Sequence, residues 1–329
     1  MRHFIYLFIF LFICVDRTPS FAQFKKGGFY SEARNGNISA VKKLLNDKKN
    51  LEPAHLNDAL QAAVTGNHFE MVKFLVKKGA NPNLISVGPS PLLINAIMYD
   101  YFDSARALIL TGADVNVRGY KRVIYEFQIN WDWTALMCAA YKGRLELVKL
   151  LVDKKADLHA QGWSQVPDEL ETAADIAAYS GRVDVLEYLL KKGVAINPNT
   201  IFKAARGGHT KVVELLLKKG DQINRPGSLQ GRTLLIEASW WGHKDLIEYL
   251  LKNGAEINKQ DTQGYTALSE VVASTREDFS NQLEIAKLLV DNGANVNLSD
   301  FFGITPLMRA TKADVIQFLT EHGAKNNQP

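Results

Sequence analysis

The residues best equipped for chemistry in this 329-residue chain are its seven histidines, two cysteines and many carboxylates. Their spacing decides what they can do. A metal site needs such ligands to converge, usually from short sequence intervals. Here His55, His68, His159 and His322 are scattered along the chain, and His3 precedes an apolar N-terminal run. No His-Glu-x-x-His, Gly-x-Ser-x-Gly, phosphate loop or dinucleotide fingerprint occurs. One enzymatic or metal-binding grouping is left, Glu126, Asp132, His159 and Asp168, near two irregular stretches. Cys138 lies in the apolar run Leu136-Met137-Cys138-Ala139-Ala140, where a small buried residue is expected rather than a reactive thiol. The expectation is a non-enzymatic chain with no cofactor and no metal.

Aromatic residues and arginine carry a different chemistry, since they dominate the binding energy of protein interfaces. The stretch 117–131, VRGYKRVIYEFQINW, holds Tyr120, Arg122, Tyr125, Phe127 and Trp131, with Trp133 just beyond. A second stretch, 160–170, AQGWSQVPDEL, holds Trp163. The pair Trp240-Trp241 precedes Gly242, at positions where other segments have Tyr141-Lys142 and Tyr179-Ser180. Two adjacent tryptophans cannot both face the core of a short helix, so at least one makes contact outside it. The aromatics of the two long stretches either meet a partner or pack the stretches against each other.

The elements that position these residues recur with a period near 33. One half of the pattern is Thr-Ala/Pro-Leu, then alanine, then Gly-His or Gly-Arg. It is read at Trp133-Thr134-Ala135-Leu136 to Gly143-Arg144, at Thr172 to Gly181-Arg182, and at Thr233 to Gly242-His243. Gly264-Tyr265-Thr266-Ala267-Leu268 and Gly303-Ile304-Thr305-Pro306-Leu307 complete it. The other half is an apolar run ending in Gly-Ala with asparagine shortly after. Gly79 and Gly112 lie 33 residues apart, Gly220 and Gly254 34 apart, and Gly293 and Gly323 30 apart. Threonine caps the first N–H groups of one helix. A second helix buries residues at i, i+3 and i+4. Glycine then ends it in the left-handed region.

The chain thus resembles the ankyrin-repeat family, whose Thr-Pro-Leu-His-x-Ala signature and 33-residue period it matches over nearly all of residues 25–327. That resemblance implies an all-α solenoid of about nine stacked helix-turn-helix repeats. They start near residues 25, 56, 88, 130, 168, 199, 230, 263 and 302, with finger insertions at 117–131 and 160–170. It also implies that His209 and His243 are structural, their rings bonding backbone. The positions of Tyr141, Tyr179, Trp240 and Trp241 would line the family's concave binding groove. Residues 274–281, STREDFSN, replace the Gly-His turn and read as a polar, solvated loop.

Composition and charge narrow the partners. Hydrophobic content of 47% with 22% charged residues is that of a packed protein. The net charge of +4 is too small, and the lysines too dispersed, for nucleic acid or an anionic membrane. Residues 1–22 have the layout of a bacterial secretory signal peptide, with Arg2-His3, the apolar run at 4–15, and Ser20-Phe21-Ala22 before the cut. Arg2, Arg17 and Asp16 leave with it, so +4 becomes +3. Twelve apolar residues are too few for stable membrane insertion. The sequence therefore predicts an exported, periplasmic or secreted, monomeric scaffold that binds one or more proteins. An effector or inhibitor of foreign proteins would use the same surface. The enzyme or metal protein built on the fingers is the least supported reading.

Overall fold

The computed structural model describes residues 28–47, 53–85, 90–119, 122–124, 127–129, 132–163, 170–194, 197–227, 230–275 and 279–326. The proposed signal peptide lies outside them. The chain divides into two compact units, Met1–Ile176 with Glu187–Val194 and Ala177–Leu186 with Ala195–Pro329.

The first unit is built of antiparallel helix pairs: Phe29–Arg34 with Ile38–Asp47, Pro53–Thr65 with Phe69–Lys77, Leu92–Met98 with Phe102–Leu110, and Ala135–Lys142 with Leu145–Asp153. The second holds Thr200–Arg206 with Thr210–Lys218, Leu234–Trp241 with Lys244–Lys252, Ala267–Val272 with Gln282–Asp291, and Pro306–Arg309 with Ala313–Glu321. A further pair, Ala173–Tyr179 and Val183–Lys191, has residues in both. Within each unit the first helix of a pair packs on the first helix of the next, and several second helices do likewise. Two short antiparallel ribbons supplement the helices: Arg122–Ile124 with Phe127–Ile129, and Gly162–Trp163 with Leu170–Glu171.

Packing explains why the pairs must stack. In Thr210–Lys218 the buried residues are Val212, Val213 and Leu216. Each such side chain contributes about 1.5–3 kcal/mol when fully buried. Ordering the backbone costs about 1–2 kcal/mol per residue, so one pair cannot hold itself and neighbours must share a core.

The local signals do what the sequence asks of them. The Thr134, Thr233 and Thr266 hydroxyls accept from Met137, Ile236 and Ser269 N–H, at 3.3, 3.2 and 3.2 Å. Thr172 and Asp175 cap reciprocally: Asp175 N–H donates to the Thr172 hydroxyl and Thr172 N–H to the Asp175 carboxylate. Thr305 departs from the pattern, its hydroxyl donating to Lys325 O at 3.2 Å. Gly220 and Gly112 end their helices at φ near +100°, a region that costs glycine little. Where the matching residue is Lys155, its φ is +69°.

Asparagines stitch successive pairs together. Asn224 Oδ1 accepts from Glu256 N–H at 2.8 Å while its Nδ2 donates to Gly254 O at 3.0 Å. Asn258 and Asn297 repeat the bond with Asn295 and Lys325 in the second unit, and Asn83 and Asn116 with Asp114 and Asp157 in the first.

Candidate functional site

In several pairs the turn between the helices is organised by an aromatic ring. His209 Nε2–H donates to Tyr179 O, and His243 Nε2–H to Arg206 O, both at 2.8 Å. A carbonyl only accepts, so Nε2 carries the proton. Burial is the main cause holding His209 below the usual histidine pKa, and the bond to Tyr179 O opposes it. Each ring lies over a glycine of the preceding turn: a Cβ on Gly181 would meet His209 Nδ1 at 2.5 Å, and one on Gly208 would meet His243 Nδ1 at 2.5 Å. His68, which the sequence pattern leaves among the scattered histidines, takes the same post over Gly36. The clue is Gly66-Asn67-His68, in which Asn67 at φ +56° replaces the second glycine. Cys138 is a buried free thiol, pushed up to about 12 chiefly by burial, and so is an inert core residue.

In the first unit the bases of the two fingers are joined. Arg118 Nη1 donates to Asp132 Oδ2 at 2.8 Å, Asp132 O at 3.2 Å and Gln161 O at 2.8 Å. Gly162 approaches so closely that a Cβ would stand 2.7 Å from Asp132 O. The two insertions therefore rise from adjacent roots. Trp133 is buried against Tyr141, ring centroids 5.7 Å apart, and supports this face from beneath rather than forming it. Tyr141 is half-buried, and Tyr99, which heads the neighbouring pair's turn, is exposed. Arg122 stands opposite Ile129 in the first ribbon, Phe127 opposite Ile124, and Trp163 opposite Leu170 in the second. Tyr120, Tyr125 and Trp131 lie outside the described residues, as do Glu126 and Asp168. Asp132 is committed to Arg118, and His159 is exposed. Among the described residues no three histidine, cysteine or carboxylate side chains are placed to hold a metal ion.

The second unit carries the denser arrangement. Trp240 is 37% exposed and Trp241 half-buried, at the end of Leu234–Trp241. One turn earlier, buried Glu237 accepts from Arg206 Nε at 2.8 Å and from Trp241 Nε1 at 3.4 Å. The Arg232 guanidinium lies 5.0 Å from the Trp240 ring and donates to Glu270 Oε1 at 3.2 Å. Arg309 stacks on Tyr265 at 3.9 Å and pairs with Asp300 at 3.2 Å. Guanidinium stacking of this kind fixes an aromatic ring while leaving its edge available.

Buried aspartates form the finger turns beside this face. Asp261 Oδ1 accepts from Gln263 and Tyr265 N–H, both at 2.9 Å, and Asp300 Oδ1 from Phe302 and Ile304 N–H at 2.9 and 3.0 Å. Fingers also bond tip to tip, Thr262 N–H to Gln230 O at 2.8 Å and Phe301 N–H to Gln263 O at 3.2 Å. Phe301 and Phe302 project from the last turn, 68% and 74% exposed. The repeat pattern does not flag this pair, although Asp-x-x-Gly before Ile304-Thr305 marks a turn whose two middle residues must face outward.

Residues 274–281 are not the wholly solvated loop that their composition suggests. Phe279 is buried, and its ring sits 2.7 Å from where a Gly242 Cβ would be, so it takes over the post that histidine fills elsewhere. Ser274 and Gln282 are buried too. The segment is polar in composition but folded in at both ends.

A family model described as ankyrin repeats, three copies, matches residues 30–119, 121–200, 197–261 and 258–329. The chain belongs to the ankyrin-repeat family. Ankyrin repeats generally mediate protein–protein interaction, and the family is typically a non-enzymatic scaffold. Over 104 residues this ankyrin-repeat chain is 32% identical to alpha-latrocrustotoxin-Lt1a of Latrodectus tredecimguttatus, a span of 31% of the chain and 7% of the toxin. Over 159 residues it is 25% identical to ankyrin repeat and KH domain-containing protein mask-1 of Caenorhabditis elegans, 48% of the chain and 6% of that protein. The chain thus matches less than a tenth of the length of either relative. The crystal structure of the human ASB11 ankyrin repeat domain superposes with a TM-score of 0.57 at 23% identity, covering 71% of this chain and 98% of that one. This likeness is one of fold. Among the described residues no helix is long and apolar enough to cross a membrane.

Proposed function

We propose that this ankyrin-repeat protein is a non-enzymatic scaffold that acts after export, in the periplasm or outside the cell, and captures a protein partner. The capture surface is the first-helix face and finger tips of the second unit, centred on Trp240, Trp241 and Tyr265 with Phe301 and Phe302 beside them. The carrying observation is the placement of Trp240: exposed, at the end of a short helix, and backed by an arginine that three buried carboxylates hold. A preformed aromatic anchor loses little conformational entropy on binding. The finger residues Tyr120, Arg122, Tyr125, Phe127, Trp131 and Trp163 form a second contact zone in the first unit, with Tyr141 and, in the second unit, Tyr179 on the same helix position as Trp240. Export rests on the layout of residues 1–22.

The test is affinity capture from the native compartment with wild type and with Trp240→Ala and Phe302→Ala. Loss of at least about tenfold in recovered partner, with unchanged melting, is the expected result; a truncated hot-spot side chain costs about 2 kcal/mol or more. Unchanged recovery by both folded variants contradicts the surface. Mature mass beginning at Gln23 supports export, and retention of residues 1–22 contradicts it. A second reading, an effector acting on a foreign protein, draws on the likeness to a toxin over 104 residues and uses the same surface; whether the captured partner comes from the native host or from another organism separates the two.

A further inference from the structure

Beneath Trp240 lies a cluster of buried charge. Three guanidinium groups, Arg206, Arg232 and Arg309, face four buried carboxylates, Glu237, Asp261, Glu270 and Asp300, and Lys203, one turn before Arg206, is buried as well. A buried carboxylate whose own hydrogen bonds leave one oxygen unpaired is costly in its charged form, and a proton removes that charge.

The hydrogen bonds say which carboxylate takes the proton. Asp261 and Asp300 each hold two backbone N–H groups on one oxygen, although Asp261 Oδ2 itself has no hydrogen bond. Glu237 has Arg206 and the Trp241 indole. Glu270 has Arg232 on Oε1 alone; its Oε2 is buried and bonded to nothing, and the side chain is 1% exposed. The helix Ala267–Val272 that carries Glu270 packs against three others. Leu234–Trp241 brings Glu237, the turn before it Arg232, Pro306–Arg309 brings Arg309, and Gln282–Asp291 brings the neutral Gln282, whose Nε2 donates to Val271 O. Asp261 comes from the turn ahead of Glu270's own helix.

We propose that Glu270 is a proton-operated latch for Trp240: ionised, it holds Arg232 beneath the indole, and protonated, it lets Arg232 settle toward Glu237 and Asp261 and the indole follow. Arg232 already lies 3.9 Å from Glu237 Oε2 and 3.7 Å from Asp261 Oδ2, so the shift is short. Burial, partly offset by Arg232 and then Arg309, pushes the Glu270 carboxyl up to about 6, which sets the pH at which the latch turns. The consequence for partner capture rests on the capture surface proposed above. The latch itself does not, since it operates in the free protein.

It is therefore tested without a partner, by NMR titration of the full chain between about pH 4.5 and pH 8, a span that brackets the ordinary glutamate value and neutrality. The Glu270 carboxyl carbon is followed together with the Trp240 indole N–H, assigned by Trp240→Phe. The expected result is a carboxyl midpoint near the value of about 6, an indole shift with the same midpoint, and loss of that shift in Glu270→Gln. A Glu270 midpoint below about 5, close to that of an ordinary glutamate, would overturn it. So would an indole that stays still, or one that still moves in Glu270→Gln. Should Glu270→Gln not fold, agreement or disagreement of the two wild-type midpoints decides. A motionless indole leaves the binding surface standing, whereas failed capture with a moving indole removes the surface and keeps the latch.

Discussion

Single residues in this protein pull stability in opposite directions with pH. The Glu270 pKa is raised by folding from 4.5 to about 6. Its contribution is therefore complete below 4.5 and lost as pH rises through about 6. The His209 pKa is lowered, chiefly by burial, so its contribution is present above the unfolded value of about 6.5 and lost as pH falls through the folded one. Glu270→Gln removes the first effect and leaves the second. Urea unfolding should show the variant more stable than wild type by up to about 2 kcal/mol at about pH 7.5, at roughly 1.4 kcal/mol per pKa unit, with the difference gone at about pH 4. An equal difference at both pH values would mean that packing, not ionisation, separates the two proteins. His209 and His243 are legible in the sequence because Gly-His recurs at one place in the period. Glu270 is not, since its partners Arg232 and Arg309 lie 38 and 39 residues away and meet it only through stacking.

Elements are set by a few positions where backbone shape, not side-chain chemistry, decides. Gly181 and Gly220 both have positive φ, +70° and +104°, but they differ in surroundings. A Cβ on Gly181 would collide with the His209 ring, while one on Gly220 has nothing within 4 Å. Gly220→Val should thus cost only the backbone strain, about 1–3 kcal/mol. Gly181→Val adds displacement of the His209 ring and its bond to Tyr179 O, and should cost clearly more. Lys218→Ala, on an exposed side chain, should leave the melting temperature nearly unchanged. Thermal melts that rank the three otherwise would refute the assigned turn geometry. The helices are legible because the threonine cap, the alanine face and the closing glycine repeat. The loop at 274–281 is not, because one apolar residue, Phe279, in a polar run gives no periodic signal. The ribbons of the fingers escape for a related reason: 117–131 reads as an interruption of the helical period, and the alternation within it is only three residues deep on each side.

For the whole molecule, the repeat array follows from the sequence and its membership of the ankyrin family. Its use follows from where the array departs from the average. Those departures are unequal. Trp240 and Trp241 stand out as a doublet at a repeat-defined position. Phe301 and Phe302 are hidden in a turn of ordinary sequence. Trp133 has the composition of a contact residue but is core, buried against the Tyr141 ring. Asn224, Asn258 and Asn297 carry no partner information, since their amides hold successive pairs together. At this scale one face of the second unit, and not its opposite, is the proposed partner surface. A photo-crosslinking p-benzoylphenylalanine placed singly at Trp240, Phe302 and Lys218 in the native host tests it most directly. One discrete adduct shared by the Trp240 and Phe302 positions is expected, with none from Lys218 on the outer helix. Adducts from Lys218 alone, or equal labelling from all three, would contradict it.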